Sequence, residues 1–469
     1  RHSRLNWAGL NERHPRKALR TMGRFLLLLF LTLLLLAGVY RLDNRAHIPS
    51  DTPRKPYLQQ VHGDSALICW RRIPSPETTT VEWRQLGSES WNSGETPVQE
   101  EGPGPVSNFS ARLVQLPEHS PIEYRVLTGD IELGRGIFNS AMGPDSEDAL
   151  RIWVLGDSGT GKKKQYQVLQ AMAEHARTDT PGNSIDLMLH VGDMAYSHGT
   201  EGEFDGRFFR PYSQMLASLP CWPAIGNHEI KSSTVETESG PYFDAFMLPV
   251  DGECGGAPSG TEAYYSFDNG PVHFIALDSS GGKITADSAM VEWLKKDLTS
   301  HDREWCIAFF HHPPYSLGTH TSQTARDSYG RLVAMREIVI PLLEEAGVDL
   351  IMAGHSHCYE RSAVIRGVHG YGSAPHHVVP DRETLKTDGR ILHEGGDRYE
   401  VAKGEGSLYV VVGHGGAGVG LRGEHPVMDR FDDQHGSLLL TIDRRSLLLE
   451  NVTIGGEVRD RLTIVRPTP

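Results

Sequence analysis

Arg151-Ile152-Trp153-Val154-Leu155 is apolar after its first residue and runs without a spacer into Gly156-Asp157-Ser158-Gly159. A short apolar run that stops at Gly-Asp reads as a buried parallel strand ending in a turn. The texture recurs along the chain. Strands are expected at 151–155, 187–191, 272–277, 306–310, 350–353 and 408–412, with helices at 165–176, 290–298 and 333–345. Strands interleaved with helices define an α/β layout, to which 437–442 and 447–452 add antiparallel strands near the C-terminus.

Five short signatures follow one another: Gly156-Asp157-Ser158-Gly159, Gly192-Asp193-Met194-Ala195-Tyr196, Gly226-Asn227-His228-Glu229, His311-His312-Pro313-Pro314-Tyr315 and Gly354-His355-Ser356-His357. Four stand directly at the end of an expected strand, so separate strands deliver oxygen and imidazole donors to one sheet edge, where ligands of open α/β sheets collect. Each alone is weak, because Gly-Asp commonly makes a turn and Asn-His can be a surface pair. Together they offer more donors than one four-coordinate zinc takes, and a carboxylate shared between two ions limits the charge. Two ions about 3.5 to 4 Å apart can hold an ester oxygen, acidify a water and stabilise in-line displacement at phosphorus.

Outward from this centre, the chain carries 46 basic and 60 acidic residues, a net charge of -14, with basic residues disproportionately frequent before Phe25. With no Lys/Arg run in the body of the chain, nucleic acid is excluded as the expected partner. Cys69, Cys221, Cys254, Cys306 and Cys358 form no CxxC pair, which excludes a zinc ribbon or a thioredoxin-like motif. They read mainly as buried hydrophobes, with one disulfide, for instance Cys221 to Cys254, left open.

Residues 1–24 form a basic leader and 25–40 a Leu-rich apolar run, an export signal peptide or a membrane anchor. The run is nearer signal length than the roughly 20 residues of a comfortable span, yet no small-x-small cleavage site follows, which favours the uncleaved anchor. The positive-inside rule puts everything after it outside the cytoplasm, periplasmic or extracellular, anchored or secreted. A linker, 41–55, precedes a β-rich segment, 56–144, with strands at 65–71, 79–84, 109–116 and 122–128. Alternation with turn residues between the runs indicates a small β-sandwich. Ile68 and Trp70 early, with Tyr124 and Val126 late, resemble a fibronectin type III module, which by itself does not imply adhesion. The α/β domain spans 149–466. Asn108-Phe109-Ser110 and Asn451-Val452-Thr453 are glycosylation sequons if the source is a eukaryote.

The ordered set GDxG, GDxxY, GNHE, HxPxY and GHxH resembles the purple acid phosphatases within the calcineurin-like metallophosphoesterases, from about residue 149 to the C-terminus. Tyr359, Glu360 and Arg361 after GHSHC, and a small sandwich in front, resemble the plant-type, high-molecular-weight branch. The resemblance implies a calcineurin-like α/β sandwich behind a fibronectin type III-like sandwich and an N-terminal apolar helix. It assigns Asp157, Asp193, Tyr196 and His357 to Fe(III), with Asp193 bridging to a divalent Zn, Fe or Mn held also by Asn227, His311 and His355. A phenolate is a hard donor suited to Fe(III), whereas imidazoles tolerate the divalent ions. The HxPxY register favours His311 over His312 as the ligand, which leaves His312 a packed neighbour.

His228, next to Asn227, is expected to face the substrate phosphate and to stabilise charge or protonate the leaving oxygen, against a purely structural role. Plant-type members carry a His-His pair after HxPxY. Here the place reads His320-Thr321, so His320 alone is the second catalytic candidate. Glu229 and Asp278 are read as structural carboxylates, and His414, in a Gly-rich loop, as a turn residue as readily as a neighbour of the metals.

The resemblance implies acid phosphatase activity on small phosphate monoesters, by attack of a metal-bound hydroxide without a phosphoenzyme. Fe(III) keeps its water ionised at lower pH than Zn(II) does. Two rivals stand beside this reading. One is a phosphodiesterase or nucleotide pyrophosphatase on the same two metals; the other is a surface binding protein whose α/β domain is degenerate. The sequence does not give an oligomeric state.

Overall fold

The structure is a computed structural model that describes residues 52–178, 185–369 and 378–468. The basic leader, the apolar run 25–40 and most of the 41–55 linker lie outside the described residues. Among the described residues, no helix is long and apolar enough to cross a membrane.

The N-terminal β-rich region consists of two antiparallel four-stranded sheets. One orders Arg54–His62, Ser65–Arg72, Ser107–Leu113 and Val98–Glu101; the other orders Asn92–Ser93, Thr79–Gln85, Pro121–Thr128 and Ile131–Asn139. Alternate residues of both sheets meet in a core of Leu58, Ile68, Trp70, Val81, Trp83, Tyr124 and Val126. The first strand starts at Arg54, inside the stretch read as linker. Pro56 and flanking charges hide it in the sequence, but the Arg54 side chain is buried by ion pairs with Glu201 and Asp205.

Two larger sheets follow. In the seven-stranded sheet, Cys221–Pro223, Leu187–His190 and Leu150–Leu155 run parallel, and Gly436–Ile442, Ser446–Thr453 and Val458–Val465 continue antiparallel. In the eight-stranded sheet, Val272–Ala276, Trp305–Phe310, Leu350–Ala353 and Ser407–Val412 run parallel between antiparallel neighbours. Residues of this second sheet alternate between two cores. Phe274, Ile307, Phe309 and Met352 share a core with the first sheet. Ile275, Ala308, Phe310 and Ile351 pack on Trp293 and Leu294 of the helix Ala289–Asp297, and on Val339 and Leu343. Near-continuous apolar runs are what a sheet covered on both faces requires.

Two helical stretches each widen into a π-turn, at Asp205–Phe209 and Met335–Val339, and in both the N–H of the next residue reaches back five residues, Arg210 to Asp205 and Ile340 to Met335. Pro211 and Pro341 follow immediately. A proline ring clashes with the carbonyl four residues back, and the wider turn relieves that clash.

All five cysteines are buried and free, so the Cys221 to Cys254 disulfide left open above is absent. Both are core side chains instead. The Asn451 sequon is also corrected as a glycan site. Asn451 is 0% exposed in an inner strand, and its Oδ1 meets His414 Nε2 at 2.9 Å.

Candidate metal centre

Every one of the five signatures lies just beyond the C-terminal end of a strand, and these ends share one edge of the two sheets. The strand Cys221–Pro223, which brings Gly226-Asn227-His228-Glu229, has three residues and ends in proline, too short to register as a strand in the sequence. Backbone bonds zip the loops together. Asp157 N–H donates to Gly192 O (3.0 Å), Tyr196 N–H to Gly159 O (3.0 Å), and Gly354 N–H to His311 O (2.9 Å).

Asp157, Asp193 and His355 have φ of +52°, +59° and +64°. Left-handed backbone is uncommon outside glycine, and its clustering in three candidate ligands marks a local arrangement held by its surroundings. Gly192 has φ +96°, and a Cβ there would lie 2.5 Å from His311 Nδ1 and 2.9 Å from Gly226 Cα, so the approach of three signatures needs glycine.

The side chains gather in two groups. In one, Tyr196 Oη donates to Asp157 Oδ1 (2.9 Å) and lies 3.1 Å from His357 Nε2, which is 3.3 Å from the same carboxylate oxygen. In the other, Asn227 Oδ1 lies 2.9 Å from His311 Nε2 and 2.8 Å from His355 Nδ1. Asp193 stands between them. Its Oδ2 is 3.5 Å from His311 Nε2, and ligand atoms of Asp157, Asp193 and His311 lie within 4.8 Å of one another. All seven expected ligands are therefore brought together.

The tautomers follow from the outer bonds. His311 Nδ1 donates to Val191 O (2.9 Å) and His357 Nδ1 to Gly418 O (3.2 Å), which turns each Nε2 toward the cluster. Nitrogen lone pairs, carboxylates and an amide oxygen then converge, a donor set that fits cations. The pull of the buried acids shows at His311. Burial pulls that imidazole down, but the Asp193 carboxylate outweighs burial and pushes it up to about 9. Burial, then the Asp157 and Asp193 carboxylates, raise the Tyr196 phenol well above its ordinary range, so a phenolate there requires a cation that outweighs both acids.

Glu229 is the clamp of the site. Its Oε2 accepts the N–H groups of Asp193 (2.8 Å) and Gly226 (2.9 Å), and its Oε1 that of Ala195 (3.0 Å). Burial, with Asp193 beside it, pushes its carboxyl up to about 7. Asp278 accepts the N–H groups of Ser280, Gly281 and Gly282 at 2.7, 2.7 and 2.5 Å, which closes its own turn. His312 is buried, its Nδ1 is 3.0 Å from Ser279 Oγ and its ring packs 4.3 Å from that of His355. The Gly-rich loop does reach the site through Ala417 N–H on Asp157 O (2.9 Å), while His414 turns away to Asn451.

His228 and His320 lie on opposite groups. The His228 ring rests 4.3 Å from Tyr196, its Nδ1 is 2.6 Å from Ser197 O and its Nε2 is 3.7 Å from Asp193 Oδ2. His320 stacks on His355 at 4.0 Å, with its Nδ1 2.7 Å from Asp327 Oδ1. Four residues in these contacts escaped the sequence reading. Ser328 Oγ meets His355 Nε2 at 2.6 Å, Asp327 holds His320, Lys231 Nζ is 3.1 Å from His228 Nδ1, and Glu203 accepts the N–H groups of Ser197 (2.6 Å) and His198 (2.9 Å). Lys231 had a signal, since three residues beyond His228 is one helical turn.

One sheet edge thus gathers acidic, phenolic, amide and imidazole donors. Residues 150–359 match the calcineurin-like phosphoesterase family. Relatives that the chain resembles include acid phosphatases. Purple acid phosphatase 15 of Arabidopsis thaliana is 32% identical over 242 residues, covering 45% of this chain and 41% of that protein. Acid phosphatase type 7 of Mus musculus is 29% identical over 230 residues, covering 45% and 47%. The chain thus spans less than half the length of these two relatives. In fold it is similar to a purple acid phosphatase from yellow lupin (Lupinus luteus) seeds, with a TM-score of 0.69 at 19% identity over 89% of this chain and 75% of that one.

Proposed function

We propose that this chain hydrolyses small phosphate monoesters at a dinuclear Fe(III)-M(II) centre, as a purple acid phosphatase of the plant-type branch outside the cytoplasm. The observation that carries the reading is the meeting of seven donors, from five strand ends, in two groups joined by Asp193. Asp157, Tyr196 and His357 would hold the ferric ion, Asn227, His311 and His355 the divalent one, and Asp193 both. Bound there, the pair would supply Lewis acidity toward a phosphate oxygen and acidify water for in-line attack at phosphorus.

The chain's own residues do the rest. Val191 O and Gly418 O fix the tautomers of His311 and His357, so both imidazoles stay aimed without reorganisation. Glu229 ties the Asp193 turn to the Asn227 turn and keeps the two groups in register. His228 donates its Nδ1–H to Ser197 O, which leaves Nε2 for the substrate; only as the imidazolium, with a second proton taken up on Nε2, can it hold a phosphate oxygen or pass a proton to the leaving oxygen. His320, held by Asp327 across the other group, is the second residue in reach of the ester. The fibronectin type III-like sandwich serves as support rather than as an adhesion module. Segment 25–40 would carry the protein to, or anchor it on, the outer side of a membrane.

The test is the visible spectrum and metal content of the aerobically purified protein beside Tyr196→Phe. A purple band lost in the variant, with iron present, is the expected result. Colourless protein that is active with zinc or manganese overturns the ferric site. Colourless, metal-free and inactive protein overturns the enzyme reading. Turnover of an aryl phosphate above that of a bis-aryl phosphate separates the monoesterase from the diesterase.

A further inference from the structure

We propose that Tyr329 receives the organic part of the ester, as a ring platform at the mouth of the site that favours phosphate esters with a planar aromatic leaving group, aryl or nucleobase-bearing, over alkyl ones. This rests on the phosphomonoesterase reading above.

The first observation is backbone. Ser328, Tyr329 and Gly330 follow one another at φ 47°, 56° and 79°. Glycine enters this region freely, whereas for a bulky aromatic it is an outlier. Such strain persists where the surroundings over-determine it, and it gathers at ligand-handling sites. Here the bonds on both sides do so. Asp327 Oδ1 meets His320 Nδ1 at 2.7 Å, and its Oδ2 accepts the Thr321 N–H at 2.9 Å. Ser328 Oγ lies 2.6 Å from His355 Nε2. Two residues beyond Tyr329, Arg331 Nη1 donates to Ser279 O at 2.8 Å and to Gly282 O at 3.1 Å. The turn is fastened on the side chains of the site itself, and Tyr329 is one residue from the contact with His355.

The second observation is the ring. Tyr329 is 99% exposed, the most open of the large hydrophobic side chains among the described residues. A turn that needed only this backbone would use glycine or asparagine, and a ring that served the core would be buried. A large aromatic left open on a turn whose neighbour Ser328 bonds His355 offers a face on which a planar group can stack. Of the substrate's two parts, the phosphate has seven donors to meet it, and the leaving group has this ring.

The experiment compares phenyl phosphate with a short alkyl phosphate on the full chain and on Tyr329→Ala, Tyr329→Phe and Tyr329→Gly. The aryl-to-alkyl ratio of kcat/KM should fall about tenfold in the Ala and Gly variants, the size of one lost stacking contact, through KM rather than kcat. Tyr329→Phe should keep the ratio. Tyr329→Gly, relieved of the strain, should melt no lower than the parent. A ratio unmoved in all variants, an equal loss on both esters, or a lower melting temperature for the Gly variant overturns the proposal. Binding of phenylphosphonate against methylphosphonate gives the same ratio without turnover. If the parent hydrolyses neither ester, the hydrolase reading fails by itself and the phosphonate ratio decides on Tyr329.

Discussion

Two buried charged clusters sit within this chain and behave in opposite ways. Where the β-rich region meets the helix after Tyr196, Arg54 pairs with Glu201 (2.7 Å) and Asp205 (2.8 Å), and Arg71 pairs with the same two acids at 2.6 Å each. Every member is at most 7% exposed, and the two positive charges answer the two negative ones. At the sheet edge, Asp157 and Asp193 are as deeply buried, yet their neighbours are imidazole nitrogens, an amide oxygen and a phenol. Burial of charge is common to both clusters. What separates a joint from a site is that the first closes its own charge balance and the second leaves acceptors converging on a place for cations.

The largest expected effect breaks the open cluster. Asp193→Ala removes the carboxylate common to both groups and should lower aryl phosphate turnover on the order of a thousandfold, several kcal/mol of transition-state stabilisation. Kinetics and metal content on the same preparation check it, and activity within tenfold of the parent would refute the bridging assignment. Breaking the closed cluster comes next. Arg71→Met leaves an acid unanswered in the interior and should cost about 3 kcal/mol or more, read from urea midpoints. Removing Glu201 as well, by Arg71→Met with Glu201→Gln, should recover part of the loss, since Arg54 still balances Asp205. No recovery would show that packing, not charge balance, holds the joint.

A third cluster sharpens the comparison, because a proton balances it. His273 lies between Asp268 (2.7 Å) and Asp297 (3.1 Å), with Arg303 on Asp268 (3.0 Å) and the His301 ring 4.0 Å away. Burial opposes its charge, but the two carboxylates push the imidazole up to about 9. A pKa raised on folding gives stability that is full below the ordinary value near 6.5 and lost as pH rises through about 9. Unfolding free energies from urea titrations at pH 6.5 and 9.5 should differ by about 2 kcal/mol in the parent and by less in His273→Gln. Equal differences would remove His273 from the account. The smallest effect is expected next door to the open cluster. His312→Gln gives up the bond to Ser279 Oγ, about 1 kcal/mol of stability, while turnover stays within about threefold. A loss as deep as that of Asp193→Ala would make His312 a ligand in place of His311.

The donors were legible because each sits in a turn that glycine or the end of an apolar strand forces, so local sequence fixes their position. The inner strands were legible for the same reason. The strands Arg54–His62, Val98–Glu101 and Ile131–Asn139 were not, because their pairing partners, rather than any apolar run, define them. Ser328, Asp327 and Glu203 stayed hidden since their contacts depend on the path of loops that carry no periodicity. The cysteines were legible as buried hydrophobes, though not completely. Spacing left a disulfide open, and only the packing of Cys221 and Cys254 in the core closes the question.

The hydrogen bond from His414 to Asn451 has a consequence for where this chain can be made. Oligosaccharide transfer acts on extended chain as it enters the secretory lumen, before any sheet exists to hide an acceptor. Asn451-Val452-Thr453 is an acceptor in that state, yet its asparagine is destined for a fully enclosed place between neighbouring strands. A sugar attached there would bar the strand from its slot. In a eukaryotic secretory host, yield of folded protein should therefore rise on Thr453→Val, which deletes the acceptor, whereas in a bacterial host the same change brings no such gain.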